Sequence, residues 1–382
     1  MRTLDDLELD GARVVVRVDF NVPLDDALAI TDDTRIRAAL PTLQALRDRG
    51  AAQIVLLAHL GRPKAREPEF SLAPVAARLG ELLGHDVPLA AEPERDELGD
   101  GPVVMVQNVR YFPGETKDDA DLAARYAALG DVYVDDAFGA AHRAHASNHG
   151  IAKLLPSAAG LLLQREVQTL TGILANPSRP LVAIVGGSKV TDKIGVLLAF
   201  LERADTVLIG GAMCFPFFAA QGIGVGSSLC EEAGIEPARK VLAKAKDGQL
   251  VLPTDLTLGR AFSADTEVQH LDGTQTPDGW MGLDVGPKTA ACYAHVIEQA
   301  GTVFWNGPMG AFELAPFEPG TRAVAEAMTT TKATTVVGGG DSAAALTQFG
   351  LADQVTHLST GGGASLELIE GKSLPGVEVL SS

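Results

Sequence analysis

No apolar run in the 382-residue sequence is long enough to span a bilayer. The opening residues Met1-Arg2-Thr3-Leu4-Asp5-Asp6 contain no apolar signal segment, so secretion is not expected. Cysteine is scarce. Cys214, Cys230 and Cys292 form an odd set without metal-ligand spacing and read as buried thiols of a reducing cytoplasm. Positive charge is short as well: Lys and Arg total 31 against 49 Asp and Glu, a net charge of −18. That balance argues against nucleic acid and anionic membranes as partners. Two nucleotide-binding signatures are also missing. No Gly-x-Gly-x-x-Gly follows the apolar run at 13–18 or the one at 181–185, and no Gly-x4-Gly-Lys-Ser/Thr occurs. Neither internal repeats nor low-complexity tracts are visible.

What is present is glycine placed before helical patterns. Ser359-Thr360-Gly361-Gly362-Gly363-Ala364-Ser365 runs into an amphipathic stretch. Val337-Gly338-Gly339-Gly340-Asp341-Ser342 and Val185-Gly186-Gly187-Ser188-Lys189-Val190-Thr191-Asp192-Lys193 repeat the device, the last adding two lysines. Glycine lacks a Cβ, so backbone N–H groups at such a helix start can approach an anion that the helix dipole also favours. Three such turns leaving apolar runs indicate phosphate handling. In so acidic a chain, local cations must overcome the average field.

The length fits two or three domains, and 46% hydrophobic content is ample for their cores. Strands are expected at 13–18, 53–58, 103–107 and 132–134, with helices at 34–49, 72–83 and 118–129 between them. After Pro180 the rhythm restarts, with strands at 181–185, 206–209, 250–253, 302–305 and 334–337. Near-continuous apolar strands with helical crossovers mean parallel sheets covered on both faces. The reading is an α/β chain of two doubly wound domains, joined by a hinge helix at 161–174.

Ligands of open α/β sheets bind beyond the carboxyl ends of the strands, where the polar motifs here fall. Arg17-Val18-Asp19-Phe20-Asn21-Val22-Pro23 closes the first strand, and Ala58-His59-Leu60-Gly61-Arg62-Pro63 the second. Asn108-Val109-Arg110 follows the third, and the stretch from Asp135-Asp136 to His142-Arg143-Ala144-His145 the fourth. With Arg35, these send Arg35, Arg62, Arg110 and Arg143 towards one edge, where guanidinium groups bind phosphate or carboxylate bidentately. Singly, each arginine reads more readily as a surface charge, though four at successive strand ends favour a ligand role, and His59 and His142 read equally as loop histidines. Asp19 and Asn21 either form an Asx turn before Pro23 or bind hydroxyls and hold the arginines.

In the second half, Lys189 and Lys193 are four apart at an expected helix start and would share a face. Gly210-Gly211-Ala212 permits close approach by a planar ring. Trp305-Asn306-Gly307-Pro308-Met309-Gly310-Ala311-Phe312-Glu313 offers an amide and a carboxylate suited to a ribose. Asp341 is either a plain N-cap or a magnesium ligand.

Taken together, these strings resemble the phosphoglycerate kinase family over nearly the whole sequence, from Arg17–Pro23 through Gly186–Lys193 and Trp305–Glu313 to Thr360–Gly376. The resemblance implies two Rossmann-like domains. One comprises 1–160 plus 373–382 and binds 3-phosphoglycerate or 1,3-bisphosphoglycerate; 161–174 is the interdomain helix, and 175–372 binds ATP or ADP. It implies a cytoplasmic, monomeric glycolytic kinase that works by domain closure and without a general base. Implied substrate contacts are Asp19, Asn21, Arg35, His59, Leu60, Gly61, Arg62, Arg110 and Arg143. Implied nucleotide contacts are Lys189, Lys193, Gly210, Gly211, Gly282, Asn306, Glu313, Gly339, Gly340, Asp341 and Ser342, with Mg2+ on Asp341. Arg35, Lys193, Gly361 and Gly362 would surround the transferred group. Ala58, Ala212 and Ser227 depart from the family pattern, where serine, glycine and lysine are usual. A non-catalytic phosphometabolite-binding protein and a nicotinamide-dependent dehydrogenase are the alternatives.

Overall fold

A computed structural model describes residues 1–381. The chain divides into two compact units, Met1–Gln168 with Ser373–Ser382, and Thr169–Lys372. The first is built on β1 (Arg13–Arg17), β2 (Gln53–Leu57), β3 (Leu89–Ala90), β4 (Val103–Val106), β5 (Val132–Asp135) and β6 (Ser157–Ala159). They form one sheet in the order β3-β4-β2-β1-β5-β6, every pairing parallel. The runs Val14–Val16 and Ile54–Leu57 are fully buried because helices cover both faces, so no inside–outside alternation survives. The helix Ala73–Leu83 starts with proline in its first turn and stops at Gly84, whose φ of 76° suits a left-handed C-cap. The helix Ala120–Ala127 is capped by Asp119, which accepts the Leu122 N–H at 3.0 Å.

The second unit holds β7 (Leu181–Val185), β8 (Thr206–Ile209), β9 (Leu250–Val251), β10 (Leu256–Gly259) and β11 (Val268–Leu271). It continues with β12 (Met281–Val285), β13 (Thr302–Asn306), β14 (Thr334–Gly338) and β15 (His357–Leu358). Six of these make a second parallel sheet, β15-β14-β13-β7-β8-β9. Against the all-parallel expectation, β11-β10-β12 form a separate antiparallel sheet. Its strands carry no long apolar run: β11 is largely exposed, Thr257 interrupts β10, and Gly282 and Asp284 interrupt β12.

The boundary between the units falls within the helix Leu161–Ala175. Its first turn is held by the buried Asp136, whose Oδ1 accepts the N–H groups of Leu162 and Leu163 at 2.9 and 3.2 Å. The chain returns at 372–373, and its last residues belong to the first unit. Despite alternate apolar positions, this tail forms the short helix Pro375–Glu378, which Pro375 opens. Leu374 and Leu380 are buried, the Gly376 N–H donates to Ala141 O at 2.9 Å, and the Arg2 N–H donates to Leu380 O at 2.9 Å.

The tail therefore contributes core to the first unit. Leu380→Ala should cost about 2–5 kcal/mol, the usual range for an emptied leucine site. Deletion of 374–382 should lower the melting temperature further, although it removes no candidate ligand contact. Unchanged thermal unfolding after the deletion would refute the packing role.

Candidate functional site

Both six-stranded sheets reverse strand order next to a central strand, between β1 and β5 in the first and between β7 and β13 in the second. At such reversals the loops after neighbouring strands run apart and leave a crevice at the carboxyl edge. The candidate residues leave the sheets there.

In the first unit, Arg17 ends β1 and is 1% exposed. Its Nε donates to Ser147 Oγ at 2.9 Å, one terminal nitrogen donates to Val18 O at 2.5 Å, and the other meets His59 Nδ1 at 3.1 Å. A guanidinium can only donate, so His59 Nδ1 accepts and its hydrogen lies on Nε2. Beyond β1, Arg35 donates to both carboxylate oxygens of the buried Asp19 at 3.1 Å. Asn21 Oδ1 accepts the Gly61 N–H at 2.8 Å, and Arg110 donates to Gly61 O at 2.5 Å. The buried Asn108 ties the loops after β2 and β4 together, donating to Leu60 O at 2.7 Å and Phe70 O at 2.9 Å. Arg62 and Arg143 are exposed.

The electrostatics confirm that these cations are neighbours. The Arg110 guanidinium is lowered from its usual range by burial, then by the charges of Arg17, Arg143 and Arg62. His59 is pushed well below the ordinary histidine value by burial and by Arg17, Arg110 and Arg35, so it is neutral near pH 7. His145 is lowered to about 4 by burial and by Arg17, Arg110 and Arg143. It therefore stands uncharged 3.7 Å from Glu115, and the contact is not an ion pair. The structure thus assembles Arg35, Arg110, His59, Asp19, Asn21, Leu60 and Gly61 at one edge, with Arg62 and Arg143 within electrostatic reach. Sequence reading left out Arg17, Glu115 and Ser147. Arg17 reads as part of an apolar strand and Glu115 as a polar turn, so their burial carries no sequence signal.

In the second unit, the glycine turns pack against one another. A Cβ on Gly186 would lie 2.1 Å from Pro308 O, and one on Gly211, where φ is 68°, 2.6 Å from Gly187 N. A Cβ on Gly210 would lie 2.4 Å from Met309 Sδ, and one on Gly282 2.4 Å from the Phe215 ring. Loop packing alone thus accounts for glycine at these positions, whatever ring approaches them. Lys193 points into the nest, donating to Gly186 O at 2.5 Å and Asn306 O at 3.3 Å. Burial lowers its ammonium to about 8, against the opposing pull of Asp341 and Asp192.

The shared helical face expected for Lys189 and Lys193 is not found. Thr191–Lys193 is a tight 3-10 turn and the helix Ile194–Arg203 starts only after it. Lys189 is exposed on the preceding loop, where its charge acts on Glu231. Glu313 is exposed on the loop after β13.

Two helix starts converge nearby. Gly340–Gln348 follows β14 and Gly362–Ile369 follows β15. A Cβ on Gly362 would sit 3.5 Å from Gly339 Cα and 3.7 Å from Gly340 N. Asp341 lies in the first turn of its helix, where Gly339 is the N-cap, so it is not itself the cap. The buried Ser342 Oγ accepts the Gly307 N–H at 2.6 Å, and Asn306 Nδ2 donates to Gly338 O at 2.7 Å. Asn306 Oδ1 is buried with no hydrogen-bond partner among the described residues. Free N–H groups and dipole ends converging beside a lysine suit phosphate.

No group of three or more His, Cys, Asp or Glu among the described residues could cage a metal. One exposed carboxylate, Asp341, beside an anion nest fits a divalent ion carried mainly by phosphate oxygens.

A family model described as phosphoglycerate kinase matches residues 4–372. A cytosolic phosphoglycerate kinase of Triticum aestivum is 50% identical, covering 99% of this chain and 97% of that protein. The phosphoglycerate kinase of Parasynechococcus marenigrum is 52% identical over 98% of this chain and 96% of its own. The structure of phosphoglycerate kinase from Coxiella burnetii superposes with a TM-score of 0.89 at 42% identity, covering 99% of this chain and 98% of its own. That from Pyrococcus horikoshii gives 0.88 at 29% identity, covering 100% and 98%.

The glycine geometry separates packing from ligand approach. Gly211→Ala should destabilise the chain by roughly 1–3 kcal/mol, from positive φ together with the clash. A Cβ on Gly340 meets nothing within 4 Å, and one on Gly362 only ordinary contacts. Gly340→Ala and Gly362→Ala should therefore stay within about 0.5 kcal/mol of wild-type stability yet lose turnover. Full turnover in both would remove the anion reading from the two helix starts.

Proposed function

The chain belongs to the phosphoglycerate kinase family, and on that footing we propose that its two units each hold one substrate. Its activity is reversible phosphoryl transfer between 1,3-bisphosphoglycerate and ADP, giving 3-phosphoglycerate and ATP in glycolysis. The dehydrogenase and non-catalytic alternatives are not favoured. The observation that carries the division of labour is that each unit has its own anion-reading cluster at its own strand-order reversal.

In this reading, 3-phosphoglycerate lies against Arg35, Arg62, Arg110 and Arg143, with His59, Asn21 and the turn Leu60-Gly61. Asp19 holds Arg35. The nucleotide lies on the second unit, its phosphates on Lys193 and the turn Gly339-Gly340-Asp341-Ser342, with Asn306 beside them and Lys189 at the periphery. Gly210, Gly211 and Gly282 border the base, and Glu313 the ribose. Asp341 would hold magnesium, which supplies charge neutralisation on the phosphate oxygens. The protein is proposed to be a cytoplasmic monomer.

Neither direction of transfer needs a base. The acceptor is a nucleotide phosphate oxygen or the carboxylate of 3-phosphoglycerate, and both are ionised at neutral pH. The residues align the donor and acceptor and place N–H groups and cations where charge spreads in the transition state. Arg35, Lys193 and the backbone of Gly361 and Gly362 take that role when the two ligands are brought together by closure of the units. Excluding water protects the acyl phosphate from hydrolysis.

Arg35→Ala should lower turnover by about 10²–10³, the usual effect of one lost transition-state donor. A raised KM for 3-phosphoglycerate at near-normal kcat would instead make Arg35 a binding residue.

Lys193 gives a pH test. Bound phosphate favours its ammonium form, so above about 8 nucleotide binding must take up a proton. Affinity should therefore fall as pH rises past that value, approaching about tenfold per pH unit. The slope should vanish in Lys193→Met. Calorimetry at pH 7 to 9.5 checks both, and a pH-independent affinity would contradict the contact.

A further inference from the structure

Arg17 cannot be a ligand contact in the ordinary sense, because it is 1% exposed and its donors are directed at protein atoms. Among the described residues it is not paired directly with a carboxylate. Its Nε–H donates to Ser147 Oγ at 2.9 Å, and the Ser147 hydroxyl donates to Glu115 Oε1 at 2.6 Å. Glu115 also accepts the Ser147 backbone N–H at 3.2 Å and is 2% exposed. The result is a buried chain of directed bonds from Glu115 through Ser147 and Arg17 to His59 Nδ1. Each link has one permitted direction: the carboxylate accepts, the hydroxyl passes its hydrogen to it and accepts from Nε–H, and the guanidinium only donates.

We infer that Glu115, Ser147 and Arg17 are positioning residues for the reaction, fixing His59 as the neutral tautomer with its hydrogen on Nε2. His59 sits among Arg17, Arg110 and Arg35, as their effect on it shows. A neutral imidazole with an outward N–H offers an anion a donor without adding a charge to a crowded cluster. The opposite tautomer would place an N–H against the guanidinium and a lone pair towards the anion, and would repel at both ends. Glu115 supplies the countercharge that lets Arg17 remain buried as a cation, while Ser147 prevents a direct ion pair that would turn the guanidinium away from His59. This rests on the proposed 3-phosphoglycerate site, since only there does the His59 hydrogen meet a ligand.

The test uses the full chain with 15N-labelled histidine. Nitrogen shifts of His59 should show Nδ1 as the unprotonated acceptor and Nε2 as the protonated nitrogen from pH 5.5 to 8. Ser147→Ala, a small change that keeps Arg17 and Glu115, should shift this signature towards a tautomer mixture. It should also raise KM for 3-phosphoglycerate about tenfold, the loss of one charge-assisted hydrogen bond, with KM for nucleotide unchanged. Glu115→Gln should act in the same direction, and Ser147→Thr should restore both readouts. A wild-type His59 hydrogen on Nδ1, or an unchanged tautomer in Ser147→Ala, overturns the inference. His59→Gln separates this failure from that of the site. Weakened 3-phosphoglycerate binding in it, with an insensitive tautomer in Ser147→Ala, rejects only the relay. Undiminished binding in it rejects the site and the relay together.

Discussion

A chain carrying a net charge of −18 that must hold two anionic substrates has to keep its cations unneutralised and in place. Direct ion pairs would fix an arginine but cancel its charge. The structure mostly avoids them at the strand ends. Arg110 donates to a carbonyl, and Lys193 donates to two carbonyls. Among the described residues, only Arg35 of the candidates meets a carboxylate, and it stays about one-third exposed. Dipoles orient these groups without cancelling their charge. The cost is visible in the lowered affinity of Arg110, His59 and Lys193 for protons.

The fold makes this possible by bringing loops together at the carboxyl edge of each parallel sheet. The loop after β1 is pinned to the loop after β2 through Asn21 and Gly61, and that loop to the one after β4 through Asn108. On the second unit, Gly186, Gly211 and Pro308 are in such close contact that side chains are excluded. Rigid loops make the cation positions a property of the fold rather than of flexible side chains, which is the requirement for electrostatic preorganisation.

Much of this was legible in the sequence. The strands Leu181–Val185 and Thr206–Ile209 fall where expected, because uninterrupted apolar runs between turn residues leave little choice. Helix bounds shifted by one or two residues at caps. The antiparallel sheet was missed because Val268–Leu271 is mostly solvent-exposed and carries no periodic apolar face. The tail alternates in sequence yet coils, since Pro375 favours a first helical turn. Lys189 lies off the expected helical face because the chain makes a 3-10 turn at Thr191–Lys193. The buried relay Arg17–Ser147–Glu115 joins residues far apart in sequence, and only tertiary structure reveals it.

The central claim is that two independent charge-preorganised half-sites each bind one substrate. Isothermal titration of both ligands into Arg110→Met and Asp341→Ala tests it most directly. Arg110→Met should lose affinity for 3-phosphoglycerate and keep that for magnesium nucleotide, while Asp341→Ala should do the reverse. Comparable loss of both ligands in either variant would contradict the account.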